Sequence, residues 1–341
     1  MIYVHVPFCR SFCTYCDFYS EKAGVAEDFE PWASGICREA SQRREEILST
    51  LETNTLYIGG GTPSVLPLDV LRRVTDSLPY GPFTEFTVEV NPEDIVQKGP
   101  GYAAGLRSLG VNRISMGVQS LDDGILRWMN RRHDSARALE AFRILREAGF
   151  GNISVDVIFG ISQLRDELLQ RTLDGILALR PEHISAYQLS IEEGSALCTL
   201  IRQGKYTEAP DEQCRRQYEL ICSVLREAGY NHYEISNWAL PGREAVHNSA
   251  YWTRAPYVGL GPGAHSLRYS VCGENLSAVP NVRSWNSEQL TGWTSQEEHL
   301  SPEEIREETL MLGLRTSRGA CGLTIPEKDW FISDSIISEL I

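Results

Sequence analysis

The chain has 341 residues, of which 42% are hydrophobic and 23% are charged, and its formal net charge at pH 7 is −14. This length suits one large domain or two, and the negative charge disfavours nucleic acid and anionic lipid as electrostatic partners. No apolar run approaches the ~18 residues that a membrane-spanning helix needs. Nine cysteines is an odd number, and the sequence shows no secretory signal pattern. These features favour a cytoplasmic protein that has neither a disulfide framework nor an integral membrane segment.

The first predicted strand, Ile2–Val6, leads into three closely spaced cysteines. Cys9, Cys13 and Cys16 form a C-x3-C-x2-C pattern, and thiolates at such spacings can converge on one metal centre. Three cysteines cannot complete the four-cysteine shell of a structural zinc site or of an ordinary [4Fe–4S] cluster. A cluster held by three cysteines leaves one iron open to another ligand. The spacing therefore predicts an iron–sulfur cluster rather than three incidental cysteines, whereas the other six cysteines show no ligand spacing.

The first two-thirds of the chain alternates predicted strands with helical patterns, which indicates a parallel sheet. The predicted strands are Ile2–Val6, Thr55–Ile58, Phe86–Val90, Arg113–Val118, Ile153–Phe159 and His183–Leu189. The clearest helical patterns are Trp32–Ser49, Asp134–Ala148, Glu167–Leu179 and Asp211–Ala228. Gly149 and Gly229 follow two of these helices at the position that a C-terminal glycine takes.

Polar or glycine-rich residues follow every predicted strand at its C-terminal end. A doubly wound sheet also fits the alternation, and a turn or cap explains any one of these residues. All six groups fall on one face, however, which is where (β/α) barrels assemble their active sites. Six units rather than eight predict an α/β fold with an incomplete barrel and a wide mouth. The groups are the cysteine loop, Gly59–Ser64, Glu89–Pro92, Gly117–Ser120, Asp156 with Gly160, and Tyr187 with Gln188.

Several segments resemble the radical S-adenosylmethionine (SAM) superfamily, whose mark is C-x3-C-x2-C after the first strand of a partial (β/α)6 barrel. Tyr3–Cys9, Gly59–Ser64, Gly117–Ser120 and Asn130–Arg132 resemble the oxygen-independent coproporphyrinogen III oxidases, the HemN family. Cys16–Ser20 and His247–Trp252 resemble the HemW branch of that family, regarded as heme chaperones.

The resemblance implies two domains. Residues 1–230 are expected to form a radical SAM partial barrel, and residues 231–341 a smaller α+β region of the HemN type. The family usually adds a helical tail after the segment that corresponds to Leu310–Arg315, and few residues follow it here. The C-terminal domain is therefore expected to be shortened.

The resemblance also implies the cofactors, a [4Fe–4S] cluster on Cys9, Cys13 and Cys16, SAM, and heme. The resemblance of His247–Trp252 to the HemW motif makes His247, a neutral imidazole of the kind that commonly binds heme iron, the expected axial ligand; the alternative is a histidine that caps a loop. His5 is either a supporting residue of the SAM site or a satisfied interior histidine. The expected SAM-binding residues are Tyr3, Tyr15, Gly60, Gly61, Thr62, Glu89, Gln119, Arg131 and Asp156.

The function that the resemblance implies is heme binding and heme transfer to an unidentified acceptor protein. A low-potential electron donor of the flavodoxin or ferredoxin type and a homodimer are the other expected partners. Two enzymatic alternatives share the same SAM site. One is oxidative decarboxylation of coproporphyrinogen III, and the other is radical chemistry on another tetrapyrrole.

Overall fold

One large sheet forms the centre of the fold. The computed structural model describes residues 1–23, 29–272 and 275–341. In chain order the strands are β1 Ile2–Val6, β2 Phe8–Cys9, β3 Glu21–Lys22, β4 Thr55–Gly60, β5 Glu85–Val90, β6 Arg113–Gln119, β7 Ile153–Phe159, β8 His183–Gln188, β9 Asn231–Glu234, β10 Asn237–Ala239, β11 Val258–Leu260, β12 His265–Arg268, β13 Val271–Cys272, β14 Asn275–Leu276, β15 Val282–Asn286 and β16 Ser295–His299.

The six predicted strands form the parallel centre of this sheet, in the order β1-β4-β5-β6-β7-β8. Strand β11 pairs in parallel with β1 at one side, and β10 and β9 add antiparallel strands beyond β8. The nine-stranded order ends at β11 and β9, so the sheet curves into a partial barrel rather than closing. The predicted α/β fold with an incomplete barrel is confirmed, and every predicted strand lies within two residues of its observed bounds.

Helices cover the outside of the sheet, and most of them match the predicted patterns. The prediction of one helix over Trp32–Ser49 is wrong, because Arg43 leaves the helical conformation and separates two helices. Arg43 donates hydrogen bonds to the Gly259 carbonyl and to Ser266, contacts that sequence periodicity does not contain. The helices are α1 Glu30–Gln42, α2 Arg44–Leu48, α3 Leu68–Asp76, α4 Pro92–Ser108, α5 Asp123–Trp128, α6 Ser135–Glu147, α7 Asp166–Leu179, α8 Ala196–Arg202, α9 Asp211–Glu227, α10 Val246–Trp252, α11 Pro302–Gly313 and α12 Ser333–Ser338, with 3₁₀ turns at Pro63–Val65 and Glu327–Ile332.

Side chains of the central strands alternate between the outer apolar core and the barrel interior. In β6, Ile114, Met116 and Val118 belong to the core under the helices. The residues between them face the interior, because successive side chains of a strand point to opposite faces. The sheet therefore presents a polar row inside and an apolar row outside.

In the described part of the chain, no helix is long and apolar enough to cross a membrane.

The C-terminal part of the chain packs against the start of the barrel. Strands β12, β15 and β16 form a separate antiparallel sheet. The buried carboxylate of Glu39 in α1 accepts hydrogen bonds from the Gly261 backbone, Asn286 and Trp293, each at 2.9 Å. The division at residue 230 stays a prediction, and the central sheet continues across it through β9, β10 and β11.

Candidate functional site

A cavity of about 700 Å³ opens at the C-terminal ends of the parallel strands, the face that the sequence predicts. Residues from the ends of β4, β5, β6, β7 and β8 line it together with the cysteine loop. Tyr3 and His247 are the two predicted site residues that do not line it. The cavity gathers Cys9, Cys13, Tyr15, Cys16, Gly60, Gly61, Thr62, Glu89, Gln119, Arg131 and Asp156.

The cysteine loop is held in place by the segment that follows α5. Thr14 donates a backbone hydrogen bond to the Met129 carbonyl at 3.1 Å and a hydroxyl hydrogen bond to the Trp128 carbonyl at 2.9 Å. Asn130 donates a side-chain hydrogen bond to the Phe12 carbonyl at 2.7 Å. These contacts fix the loop without using a cysteine, so all three thiols remain free to bind a metal centre.

Burial and the positive charge of Arg131 together determine the electrostatics around the thiols. Burial raises the pKa of the Cys9 thiol and raises that of Cys16 to about 11. Arg131 donates to Cys13 Sγ at 3.4 Å and to the Gly117 carbonyl at 2.6 Å. Burial opposes the charge of Arg131, but the neighbouring Tyr15 and Cys13 raise its pKa overall. The guanidinium therefore stays charged beside thiols that would have to ionise to bind iron.

Glu89 is held by the end of the neighbouring strand. Tyr57 donates a hydrogen bond to its Oε1 at 2.7 Å, and the Gly60 backbone N–H donates to its Oε2 at 3.0 Å. Burial raises the pKa of Glu89 to about 7, although these hydrogen bonds oppose the rise. Tyr3 does not line the cavity; its ring lies 6.1 Å from that of Tyr57, and its hydroxyl is 3.1 Å from His5 Nδ1.

Gln119 has an unusual backbone conformation at the end of β6. Its φ of 68° lies in the left-handed region, and the pairing of β6 with β7 shifts register between Gly117 and Gln119. Such a conformation costs a non-glycine residue about 1–3 kcal/mol and is concentrated at functional sites. The irregularity re-aims the side chain, as β-bulges do. Among the described residues, the buried Gln119 Oε1 has no hydrogen-bond partner, so it is available to a ligand.

Arg113 is a site residue that the sequence analysis missed. Its side chain is 1% exposed and lines the cavity, and in the described part of the chain its Nε and Nη1 have no partner. Asp156, whose pKa burial raises, receives hydrogen bonds from Ser185 and Ser115 and the electrostatic influence of Arg113. The signal was present in β6, where Arg113, Ser115, Gly117 and Gln119 recur with period two and all line the cavity.

The residues present fit a cluster with a zwitterionic ligand. The three thiols share one cavity with carboxylates and guanidinium groups, and carboxylates suit an ammonium group while guanidinium groups suit a carboxylate. Arg131 Nε joins Gln119 Oε1 and Arg113 among the buried polar atoms that have no partner in the described residues. A polar ligand would satisfy these atoms, which otherwise carry a desolvation cost.

His247 lies in the interior, away from the cysteines. It is 0% exposed, its Nδ1 is 2.8 Å from Thr55 Oγ1, and its Nε2 is 3.0 Å from the Tyr251 hydroxyl. Burial lowers its pKa to about 3, so the imidazole is neutral. Both ring nitrogens are occupied in this conformation, and heme ligation requires one of them to be released. The neighbouring Asn248 does line the cavity.

Comparison with known proteins identifies the family. The Radical SAM superfamily profile matches residues 3–176. "Heme chaperone HemW" of Bacillus subtilis (strain 168) is 32% identical over 339 residues, which cover 96% of this chain and 86% of that protein. The chain belongs to the HemW family of radical SAM proteins. A further relative, "Radical S-adenosyl methionine domain-containing protein 1, mitochondrial" of Bos taurus, is 33% identical over 335 residues, 93% of this chain and 73% of that one.

The fold of this HemW-family chain has a counterpart among solved structures. Coproporphyrinogen III oxidase (HemN) from Escherichia coli matches it with a TM-score of 0.74 and 19% sequence identity. The match covers 92% of this chain and 75% of that chain. At this identity the likeness concerns the fold, and it confirms the predicted radical SAM architecture.

Proposed function

We propose that this chain is a heme chaperone that holds a [4Fe–4S] cluster and SAM in the cavity and transfers heme to an acceptor protein. The observation that carries the proposal is the cavity, where three thiols adjoin carboxylates and guanidinium groups. The name of the Bacillus subtilis relative supports the heme part. A flavodoxin- or ferredoxin-type protein is the proposed electron donor, and a homodimer is the proposed assembly.

In this proposal Cys9, Cys13 and Cys16 would hold the cluster and leave one iron open to SAM. The chemistry that such a cluster supplies when bound is one-electron reduction of the SAM sulfonium. Arg131 offsets the negative charge of the thiolates through its contact with Cys13. Tyr15, between two of the cysteines, would border the adenine, and Gly60, Gly61 and Thr62 would hold the methionine part of SAM; all four line the cavity.

The polar groups of the cavity orient SAM by charge. Glu89 and Asp156 suit its ammonium and ribose hydroxyl groups, whereas Gln119 and Arg131 suit its carboxylate. Arg113 lies beside both carboxylates and favours their ionised forms electrostatically. Arg113 and Gln119 are buried in the cavity wall and Glu89, Arg131 and Asp156 are half-buried there, so little conformational freedom remains to be lost when SAM binds.

The proposed heme ligand is His247, and one of its hydrogen bonds must break before it can bind iron. Nε2 becomes available only if Tyr251 moves its hydroxyl away, which leaves a cost of about 1–3 kcal/mol for the broken buried hydrogen bond. Flat apolar faces for a porphyrin are offered by Tyr251 and Trp252, which lie in the same helix as His247.

Anaerobic reconstitution tests the cluster part. We expect about four irons and four sulfides per chain and a perturbed electron paramagnetic resonance signal of the reduced cluster when SAM is added. Cys13→Ser should lose the cluster, whereas the control Cys198→Ser, a cysteine of α8 outside the cavity, should keep it. Equal iron content in the two variants would contradict the assigned ligands.

A heme titration tests the chaperone part. His247→Gln should lose heme binding, and Tyr251→Phe, which frees Nε2, should bind heme about 10-fold more tightly. If both variants bind heme as the wild type does, His247 is a structural residue only.

Protoporphyrinogen appearing with 5′-deoxyadenosine from coproporphyrinogen III, SAM and dithionite would establish an oxidase instead. Heme transfer is measured with an apo-hemoprotein acceptor.

A further inference from the structure

Three potential metal ligands meet at the far edge of the sheet, outside the cavity described above. Cys222 comes from α9, His232 from β9, and Glu327 from the 3₁₀ turn Glu327–Ile332. Their ligand atoms lie within 4.8 Å of one another. His232 Nδ1 is 4.0 Å from Cys222 Sγ and 3.0 Å from Glu327 Oε1. Ligand atoms around one tetrahedral zinc ion are about 3.3–3.8 Å apart, as bond lengths of about 2.0–2.3 Å require, so small shifts would suffice.

The imidazole of His232 is fixed in the orientation that ligation needs. Its other ring nitrogen, Nε2, lies 3.4 Å from the Ile235 carbonyl, and a carbonyl on the distal nitrogen is the usual partner of a metal-bound histidine. The ring stacks on Trp238, with the ring centroids 4.1 Å apart and the planes 10° apart. It also makes an edge contact with Trp330, whose ring centroid is 4.4 Å away. Nδ1 therefore points at Cys222 and Glu327.

We propose that Cys222, His232 and Glu327 form a binding site for a divalent transition-metal ion, with zinc as the best fit. A thiol, an imidazole and a carboxylate suit zinc, whereas magnesium and calcium prefer oxygen ligands alone. Three protein ligands leave a fourth position for water. A cavity of about 530 Å³ lined by His232 and Glu327 gives access to this position.

Arg226 competes with the metal in the metal-free protein. Its Nη2 donates to Glu327 Oε1 at 2.8 Å, so binding requires the guanidinium to leave that oxygen. The Arg226 side chain is 62% exposed and can turn into solvent, and exposed ion pairs contribute only about 0–1 kcal/mol. Removing Arg226 should therefore strengthen metal binding.

The site would attach the C-terminal segment to the barrel edge. Glu327 is 95 residues from His232 in sequence, and Arg226 and His232 are its hydrogen-bond partners there. A metal ion bridging the three residues would hold this segment against α9 and β9. The proposal is independent of heme and SAM, because none of the three residues lines the SAM cavity.

The test uses the full chain with Cys9, Cys13 and Cys16 replaced by serine, so that the cluster loop cannot bind the probe. Cobalt(II) is the probe, because a thiolate ligand produces a charge-transfer absorption band with it. We expect about one equivalent to bind with this band, and zinc to displace it. Absence of the band at saturating cobalt would overturn the site.

Variants in the same background locate the ligands. Cys222→Ser should remove the band and weaken binding by about 100-fold, whereas Cys198→Ser should change neither. Arg226→Gln should tighten binding several-fold, and Glu327→Gln should weaken it. An unchanged band in Cys222→Ser, or weaker binding in Arg226→Gln, would overturn the assignment. A second readout is the melting temperature, which zinc should raise only where Cys222 and Glu327 are intact.

Discussion

Replacing Gly117 by alanine should weaken SAM binding while it changes the stability of the fold only slightly. An added Cβ would lie 2.8 Å from Gln119 Nε2 and 3.1 Å from Arg131 Nη2, both closer than ordinary contact. Arg131 cannot move away freely, since its Nη2 donates a hydrogen bond to the Gly117 carbonyl at 2.6 Å. The methyl group therefore displaces two side chains that are proposed to hold the SAM carboxylate.

The magnitude follows from the groups displaced. Hydrogen bonds to charged groups contribute about 1.5–3 kcal/mol, so loss of one such bond predicts a SAM dissociation constant roughly 10–100-fold higher. The free energy of unfolding should change by no more than about 1 kcal/mol. The clash involves the ends of side chains, and alanine restricts the unfolded chain more than glycine does.

The assay is anaerobic calorimetric titration of SAM into the reconstituted protein, with iron content and urea unfolding measured on the same preparation. Gly151→Ala is the matched control, because an added Cβ there meets nothing within 4 Å. A Gly117→Ala protein that binds SAM within about 2-fold of the wild type would refute the reasoning. A protein that fails to unfold cooperatively would show that Gly117 supports the fold instead.

Two other predictions concern buried carboxylates. Because burial raises the pKa of Glu89 to about 7, and its ionised form is proposed to bind the SAM ammonium group, SAM should bind more tightly as pH rises through that value. Glu89→Gln should remove this pH dependence in the same titration, and an equal slope in both proteins would contradict it. Glu85 accepts hydrogen bonds from the backbone N–H groups of Val246 and His247 at the start of α10. Glu85→Gln should lower the free energy of unfolding by about 1–3 kcal/mol in urea, whereas the exposed Glu208→Gln should not.

Much of the barrel was predictable because its signals are local. Apolar runs of strand length placed all six central strands. Helical periodicity placed α6, and Asp134 and Gly149 lie at its two ends. The cavity face followed from the rule that parallel strands connected by helices bring their C-terminal ends to one edge. The predicted cluster and SAM residues, apart from Tyr3, line that cavity.

Features that depend on distant contacts were not predictable. His247 is enclosed by Thr55, 192 residues away in sequence, and Arg43 breaks a helix through contacts with strands β11 and β12. No local pattern contains such pairs.

By itself the sequence determined the strand pattern, the cysteine loop and the family, since spacing and periodicity act over a few residues. The tertiary structure alone decided that Arg113 Nε and Nη1 have no partner among the described residues and that Cys222 meets His232 and Glu327. The physical reason is that burial and the convergence of side chains depend on how separate elements pack. Residues as far apart as Cys222 and Glu327 become neighbours only after α9, β9 and the C-terminal segment have docked.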